Sequence, residues 1–299
     1  MSAVKIFNNS SVNLLTFVLT GIPGMEEKNS LMAFPLFVLC VFTPLGNSLI
    51  LFVITTEHSL HEPMYIFLSI LACSDLGLFI LTFPTMLRVY WFDSKEITLN
   101  ACITQMFFIH AFQWLESGIL VAMAFDRVVA ISEPLRYRTL FPVRCICVSF
   151  PAPFLIERLH FCRSSVLSHS YCLHPDIMKL ACVDITVNIF YGLIIVTLTL
   201  GLDVVIILVS YIVILKTVLG IASHRERLKA LNTCASHICA TLTFYVPMIS
   251  VSLPHRYGKH LSPLVHMLMA TIYTVVPPLL NPVVYSMKTW QIRKAIGRM

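Results

Sequence analysis

Residues 187–215 read VNIFYGLIIVTLTLGLDVVIILVSYIVIL, and this stretch decides the fold class. Asp203 is its only charged side chain, and its apolar residues lack the alternation of a membrane strand. A helix of about 20 apolar residues crosses a bilayer core about 30 Å thick. Because backbone groups in lipid must satisfy one another, the stretch predicts a membrane-spanning α-helix.

Five further apolar segments are also long enough to cross a bilayer. They are Leu31–Thr56, Tyr65–Leu87, Ala101–Phe125, Ala230–Leu253 and Leu261–Met287. Of the 299 residues, 57% are hydrophobic and 12% are charged, and the mean hydropathy is +0.82. Soluble domains carry about 25% charged residues, so this chain has too little polar surface to face water on all sides. The composition predicts an all-α membrane protein and excludes disordered, collagen-like and secreted disulfide-scaffold proteins.

The region between Phe125 and Val187 departs from this pattern. Its only sustained apolar stretch is Cys145–Ile156, which Pro151 and Pro153 interrupt. As a helix this stretch would extend about 18 Å, against a core of about 30 Å. We expect a seven-transmembrane helical bundle with a truncated fourth helix. Two alternatives stay open: 143–156 crosses in a strained, partly extended form, or the bundle is defective and the chain is retained in the endoplasmic reticulum.

Charge and sequons predict an N-terminus outside the cell. With seven crossings, more than half of the 21 Lys and Arg residues fall in inner segments, as the positive-inside rule favours. Asn8 and Asn9 begin overlapping Asn-X-Ser sequons, which are typical of glycosylated extracellular segments. We predict an extracellular N-terminus over 1–30, a transmembrane bundle over 31–287 and a cytoplasmic tail over 288–299, in a multi-pass protein of the plasma membrane.

The net charge of +6 does not indicate nucleic acid. The basic residues are scattered through short loops, which favours the headgroups of the lipid bilayer as their partner. Catalysis is not expected either, because the sequence contains no HExxH, GxGxxG, P-loop or GxSxG motif. A six-span channel or carrier with both termini on one side stays open as an alternative, although the inverted repeats of many transporters are not evident.

Four cysteines fall in segments that this topology places outside: Cys102, Cys162, Cys172 and Cys182. An oxidising compartment would pair them, and four cysteines allow three connectivities. A metal site is the rival interpretation, because His169 and His174 flank Cys172. Disulfides are favoured over a metal, since no CxxC pair is present.

Three acids lie inside the predicted spans, where a charge is costly and function is the default hypothesis. Asp75 and Glu116, on neighbouring helices, could together hold a cation such as a sodium ion. No other cofactor and no metal are expected. Asp203 has no evident partner. The alternative for all three acids is a carboxyl that is protonated or hydrogen-bonded between helices.

Two motifs lie near the predicted inner face. Asp126-Arg127 places an acid beside a base at the end of the third span. Asn281-Pro282, with Tyr285, makes a polar, proline-weakened stretch in the last span, which is a plausible hinge. Either motif could be merely structural.

Taken together, several strings resemble the olfactory receptors. They are Gly46-Asn47, Leu60-His61-Glu62-Pro63-Met64-Tyr65, Met123-Ala124-Phe125-Asp126-Arg127, Pro134-Leu135-Arg136-Tyr137, Lys229-Ala230-Leu231-Asn232-Thr233-Cys234 with Ser236-His237, and Asn281-Pro282-Val283-Val284-Tyr285-Ser286. Two more segments, Ser168-His169-Ser170-Tyr171-Cys172 and His255-Arg256-Tyr257-Gly258-Lys259-His260, resemble the class I, fish-like branch of that family.

The resemblance implies a rhodopsin-like G protein-coupled receptor that binds a small odorant among the outer halves of its helices and activates a stimulatory G protein. Carried over by position, it implies disulfides from Cys102 to Cys172 and from Cys162 to Cys182. It also implies that Asp126 and Arg127 form the inner switch that meets the G protein, with Tyr285 moving alongside. Val128 departs from the family, which usually has tyrosine there.

Class I receptors often favour carboxylic acids and other polar odorants. Arg256, at the outer end of span six, is then the candidate carboxylate anchor, because guanidinium matches a carboxylate with two parallel hydrogen bonds. His110 and Ser252 are expected to face the same cavity. The alternatives are a contact of Arg256 with lipid headgroups and a packed His110.

Overall fold

The computed structural model describes residues 16–20, 29–57, 60, 62–92, 94–132, 166–220, 223–257, 262–288 and 290–297. The chain order of its elements is β1 (Thr16–Leu19), α1 (Asn29–Thr56), α2 (Pro63–Tyr90), β2 (Glu96–Thr98), α3 (Leu99–Ser132), β3 (Val166–Leu167), α4 (His174–Lys179), α5 (Thr186–Leu219), α6 (His224–Tyr257), α7 (Pro263–Lys288) and α8 (Trp290–Ile296).

Among these residues, six helices are long and apolar enough to cross a membrane: α1, α2, α3, α5, α6 and α7. They correspond to the six clear spans of the sequence analysis, and the stretch quoted first forms most of α5. The predicted short fourth crossing, 143–156, lies outside the described residues. The helix α4 is a short loop helix of six residues and crosses nothing.

A three-stranded sheet in the order β2-β1-β3 covers one end of the helices. β1 runs antiparallel to β2 and parallel to β3, with Val18 opposite Val166. Alternate residues of β1, Phe17 and Leu19, are buried. We did not expect this sheet from the sequence, because β1 has only four residues and its partners lie far along the chain.

The two larger of three clusters of buried apolar residues among the described residues divide the bundle along its length. The sheet-end core includes Phe17, Leu19, Cys102, Met106, Tyr171, Cys172, Ile177, Met267 and Ala270. The other, which we call the α8-end core, includes Ile54, Tyr65, Met123, Ala124, Phe244, Tyr285 and Ile292. The first strand and the last helix therefore lie at opposite ends of the bundle.

The long helix α3 fixes where the later chain must go. Its first turn lies at the sheet end, and its 34 residues extend about 51 Å at 1.5 Å per residue. Ser132 ends α3 at the far side, whereas Val166 is back in the sheet beside β1. The chain therefore returns from one end of α3 to the other between these two residues.

The helix α5 is apolar on all sides but buried along one stripe. Apart from Asn188 near its start, its buried positions are Ile207, Ser210, Ile214 and Val218, which are spaced three or four apart, as one helix face requires. Other apolar side chains of α5 are exposed, such as Leu198 at 58% and Leu219 at 68%. Such exposure suits contact with lipid hydrocarbon, where an apolar side chain carries no penalty.

Candidate functional site

Two histidines meet at the sheet end of the bundle. His110 of α3 and His174, the first residue of α4, have ring centroids 6.1 Å apart with an interplanar angle of 79°. Burial, and then the neighbouring His110, lower the pKa of His174 to about 3. His174 is therefore neutral at physiological pH. Its Nε2 atom is buried and has no hydrogen-bond partner among the described residues.

The loop that carries His174 is bonded directly to α3 and α7, and through Gln105 of α3 to α2. Cys172 is bonded to Cys102 of α3, with the two Cα atoms 5.4 Å apart. The backbone amide of Cys172 donates to Oε1 of Gln105, 3.0 Å away. The hydroxyl of Tyr171 donates to the carbonyl of Ala270 in α7 at 2.8 Å. Gln105 in turn donates to the carbonyl of Leu81 in α2 at 2.7 Å, so the loop closes over the ends of these helices.

The Cys102–Cys172 bond makes the rival metal interpretation wrong, because a sulfur in a disulfide is not available as a thiolate ligand. Among the described residues, no three His, Cys, Asp or Glu side chains converge in a way that could hold a metal ion. Cys182 is also disulfide-bonded. Its predicted partner, Cys162, lies outside the described residues, as do Asn8 and Asn9.

Ser252 and Arg256 lie near the sheet end of α6. Ser252 is half-buried and follows Val251, which belongs to the sheet-end core. Arg256 lies one turn further along the same helix, and its side chain is outside the described part of the chain. The structure thus brings His110, His174 and Ser252 to one end of the bundle.

A buried polar cluster lies between α2, α3 and α7. The carboxyl groups of Asp75 and Glu116 are in hydrogen-bonding contact, and both side chains are almost fully buried. Asn281 of α7 donates to both oxygens of Asp75, at 3.3 and 3.1 Å. Oε1 of Glu116 is buried and has no hydrogen-bond partner among the described residues. Two adjoining buried carboxyls need either a shared proton or a bound cation.

Asp203 has partners that no sequence spacing indicated. Its Oδ2 atom accepts hydrogen bonds from Ser117 of α3 and from the hydroxyl of Tyr245 in α6, the latter at 3.1 Å. The Ser117 and Tyr245 hydroxyls are themselves 3.0 Å apart. This cluster ties α3, α5 and α6 together at mid-height. The cluster could not be inferred from sequence spacing, because its members lie on three helices and the spacing does not say how each helix is rotated about its axis relative to the others.

The predicted switch residues lie at the α8 end. Asp126 is buried and Arg127 half-buried, and Nη2 of Arg127 contacts the sulfur of Met64 in α2. Oδ1 of Asp126 is buried without a hydrogen-bond partner among the described residues. The hydroxyl of Tyr285 reaches the sulfur of Met123 at 3.9 Å.

Beside this switch, His237 forms a connection between three helices that the sequence analysis did not predict. Nδ1 of His237 in α6 is 2.6 Å from the hydroxyl of Tyr211 in α5, and its Nε2 atom is 2.9 Å from the carbonyl of Leu120 in α3. One imidazole therefore joins three helices. The only sequence signal for it was membership of His237 in a string that resembles the olfactory receptors.

Comparison with known proteins gives a consistent result. The olfactory receptor family model matches residues 35–299. Human olfactory receptor 51H1 is 55% identical over 298 residues, covering 95% of this chain and 99% of that protein. Human olfactory receptor 51I2 is 52% identical over 295 residues and covers 95% of each chain.

The chain belongs to the olfactory receptor family. Squid rhodopsin has the same fold, with a TM-score of 0.72 at 16% identity, over 94% of this chain and 90% of that structure. This olfactory receptor is therefore a multi-pass, odorant-binding G protein-coupled receptor with the seven-transmembrane architecture, and it is not an enzyme.

The six-span channel or carrier is not supported for this olfactory receptor. That alternative required both termini on one side, whereas Phe17 of β1 packs in the sheet-end core and Ile292 of α8 in the α8-end core. The family match points the same way.

Proposed function

We propose that this receptor binds small polar or carboxylic acid odorants at its sheet end, which faces outward, and activates a stimulatory G protein at its α8 end. The observation that carries the proposal is the contact between the half-buried side chains of His110 and His174, together with the Nε2 atom of His174, which is buried and has no hydrogen-bond partner among the described residues. A buried nitrogen without a partner costs about 1–3 kcal/mol, so a ligand that hydrogen-bonds to it gains affinity.

His174 joins the ligand residues predicted from the sequence. As a neutral imidazole it offers one donor and one acceptor, which suits a hydroxyl, carbonyl or carboxyl group of an odorant. Arg256 supplies a permanent positive charge one turn beyond Ser252 and serves as the carboxylate anchor. We propose that His110 and Ser252 contact the same odorant from α3 and α6.

At the other end, Asp126 and Arg127 form the switch that meets the G protein. Within the described part of the chain, Oδ1 of Asp126 has no hydrogen-bond partner and Arg127 contacts the sulfur of Met64, so both charges are poorly satisfied, as expected of groups that change partners. Tyr285 moves alongside them, and the α7 stretch that contains Asn281 and Pro282 is the hinge.

The carboxyl pair of Asp75 and Glu116 is the proposed site of a sodium ion. A hard monovalent cation suits oxygen ligands and would relieve the repulsion between the two carboxylates. Asn281, which donates to Asp75, links this site to the α7 hinge.

We also propose that the receptor lies in the plasma membrane, with residues 1–30 outside, 31–287 forming the bundle and 288–299 inside. Asn8 and Asn9 are glycosylation sites, and Cys162 pairs with Cys182. This orientation puts both predicted disulfides in an oxidising compartment.

Replacing Arg256 tests the ligand class. We expect Arg256→Gln to abolish or strongly weaken cyclic AMP responses to carboxylic acids in cells that express a stimulatory G protein, at equal surface density. Arg88→Gln is the matched control, because Arg88 is an exposed arginine that contacts Ser94 and the carbonyl of Glu96 at the same end. Unchanged responses of the Arg256 variant to every active acid would overturn the carboxylate anchor.

A further inference from the structure

A buried polar pair lies in the loop beside the proposed odorant site. Nδ1 of His169 contacts Oδ2 of Asp176, seven residues later in the chain. The two side chains are only 2% and 3% exposed. We name this pair the loop latch. The amine of Lys179 reaches the other oxygen of Asp176 at 3.1 Å, but Lys179 is 60% exposed.

The latch stays charged at Asp176 over the whole physiological pH range. Burial acts to raise the pKa of Asp176, but the hydrogen bond and charge of His169, with a contribution from Lys179, outweigh burial and lower it to about 2. A hydrogen bond to an ionised, buried acceptor is among the strongest that a side chain makes. The latch is therefore a firm link between the start of the loop and the loop helix.

One member of the latch, Asp176, lies on the helix that carries His174. Asp176 lies in the first turn of α4, two residues after His174, and its amide donates to the carbonyl of Leu173 at 3.1 Å. The six-residue helix α4 also has an anchor on each side of the latch. On one side the disulfide at Cys172 holds the chain, and on the other the side chain of Ile177 is fully buried.

We propose that His169 and Asp176 are positioning residues for odorant recognition: the latch orients α4 so that the imidazole of His174 lies beside that of His110 at the proposed odorant site. This inference rests on the proposed odorant site. The ligand class that depends on the latch is the polar and carboxylic acid odorants, because these need the imidazole of His174 at a fixed distance from the anchor.

Four single variants test the latch. His169→Asn keeps an N–H donor near the position of Nδ1, whereas His169→Gln shifts the donor toward the position of Nε2. Asp176→Ala removes the acceptor. Lys179→Ala is the matched control, because it contacts the same carboxylate from solvent. The readout is the cyclic AMP concentration–response of the full receptor to short straight-chain carboxylic acids, normalised to surface density.

We expect His169→Gln and Asp176→Ala to raise the half-maximal concentration at least about tenfold, with unchanged ligand-independent signalling, which depends on the α8 end. His169→Asn and Lys179→Ala should stay within about threefold of the parent receptor. Equal potency of parent, His169→Gln and Asp176→Ala would overturn the inference. Equal losses of potency in His169→Asn and His169→Gln would also overturn it, since that result would assign the effect to the imidazole itself and not to a donor at the Nδ1 position. If Asp176→Ala fails to reach the cell surface, the comparison of His169→Asn with His169→Gln decides the test alone.

A labelling experiment separates failure of the latch from failure of the odorant site. In the His174→Cys variant, an impermeant thiol reagent should react slowly from outside intact cells. Adding Asp176→Ala should speed that reaction at least about tenfold, because α4 is then free to turn. No odorant is needed. If the parent receptor gives no response to any carboxylic acid, the proposed ligand class is overturned. If His174→Cys is labelled at equal rates with and without Asp176→Ala, the proposed role of the latch is overturned.

Discussion

Gly77 shows at the scale of one residue how closely α2 and α3 approach. A Cβ atom added at Gly77 would lie 2.4 Å from the ring of Phe112, which is closer than real carbon atoms come. We expect Gly77→Ala to destabilise the receptor by about 1–3 kcal/mol, as overpacking of a core does. The measurement is thermal unfolding of the purified receptor in detergent.

Gly201 in α5 is the matched control, because nothing lies within 4 Å of a Cβ added there. Gly201→Ala should leave stability unchanged or raise it by about 0.5–1 kcal/mol, the ordinary gain of alanine over glycine inside a helix. Equal melting temperatures for the two variants would show that Phe112 simply moves aside.

Residue partners are the part of the site that the sequence could not supply. Asp203 was identified as an acid in a membrane span, but its partners Ser117 and Tyr245 lie on other helices, and their convergence depends on how each helix is rotated. His174 was considered only as a neighbour of Cys172. Its place beside His110 follows from the disulfide and from α4, a short helix with no apolar repeat to predict it.

At the scale of an element, a side chain of α1 supplies a hydrogen bond that α7 cannot form within itself. Pro282 has no N–H, so the carbonyl of Pro278 loses its usual donor one turn along the helix. Nδ2 of Asn47 in α1 donates to that carbonyl at 2.9 Å. We expect Asn47→Ala to destabilise the receptor by about 1–3 kcal/mol, because the buried carbonyl is left without a donor.

A double-mutant cycle separates the hydrogen bond from Asn47 to the carbonyl of Pro278 from the other effects of replacing Asn47. Pro282→Ala restores an N–H that can bond to the carbonyl of Pro278, so Asn47→Ala should cost clearly less in that background than in the parent. Thermal unfolding of the four proteins supplies the comparison. Equal costs in the two backgrounds would mean that Asn47 acts through the carbonyl of Thr43, to which it also donates at 3.0 Å.

Elements were predictable where the signal was long and periodic. Hydropathy located the six described membrane helices, because about 20 apolar residues are needed to cross lipid and few other structures require them. β1 escaped prediction because four residues with alternating burial are too short a pattern, and its pairing with β2 and β3 is a long-range event. Extension of α3 to Ser132 also exceeded the apolar stretch, since the helix continues past the hydrocarbon into a polar segment.

At the scale of the whole molecule, sidedness follows from which elements share a core. β1 packs with the Cys102–Cys172 loop, whereas α8 packs with Met123 and Tyr285 at the opposite end. An odd number of crossings separates such termini, and the described helices supply six. We therefore predict that the seventh crossing lies between Ser132 and Val166, outside the described residues, where Cys145–Ile156 is the only sustained apolar stretch of the sequence.

We expect a tag placed before Asn8 to be labelled in intact cells, and a tag placed after Met299 to be labelled only after permeabilisation. Surface density should be low, because a helix of about 18 Å is a poor match to a core of about 30 Å.

Inserting about eight apolar residues after Cys147 adds about 12 Å of helix and serves as the matched variant. That variant should raise the surface density without changing which tag is exposed, because the crossing is the same one made longer. A C-terminal tag labelled in intact cells would contradict the seven-span topology of the parent chain. Surface densities that are equal before and after the insertion would instead show that 143–156 crosses without penalty.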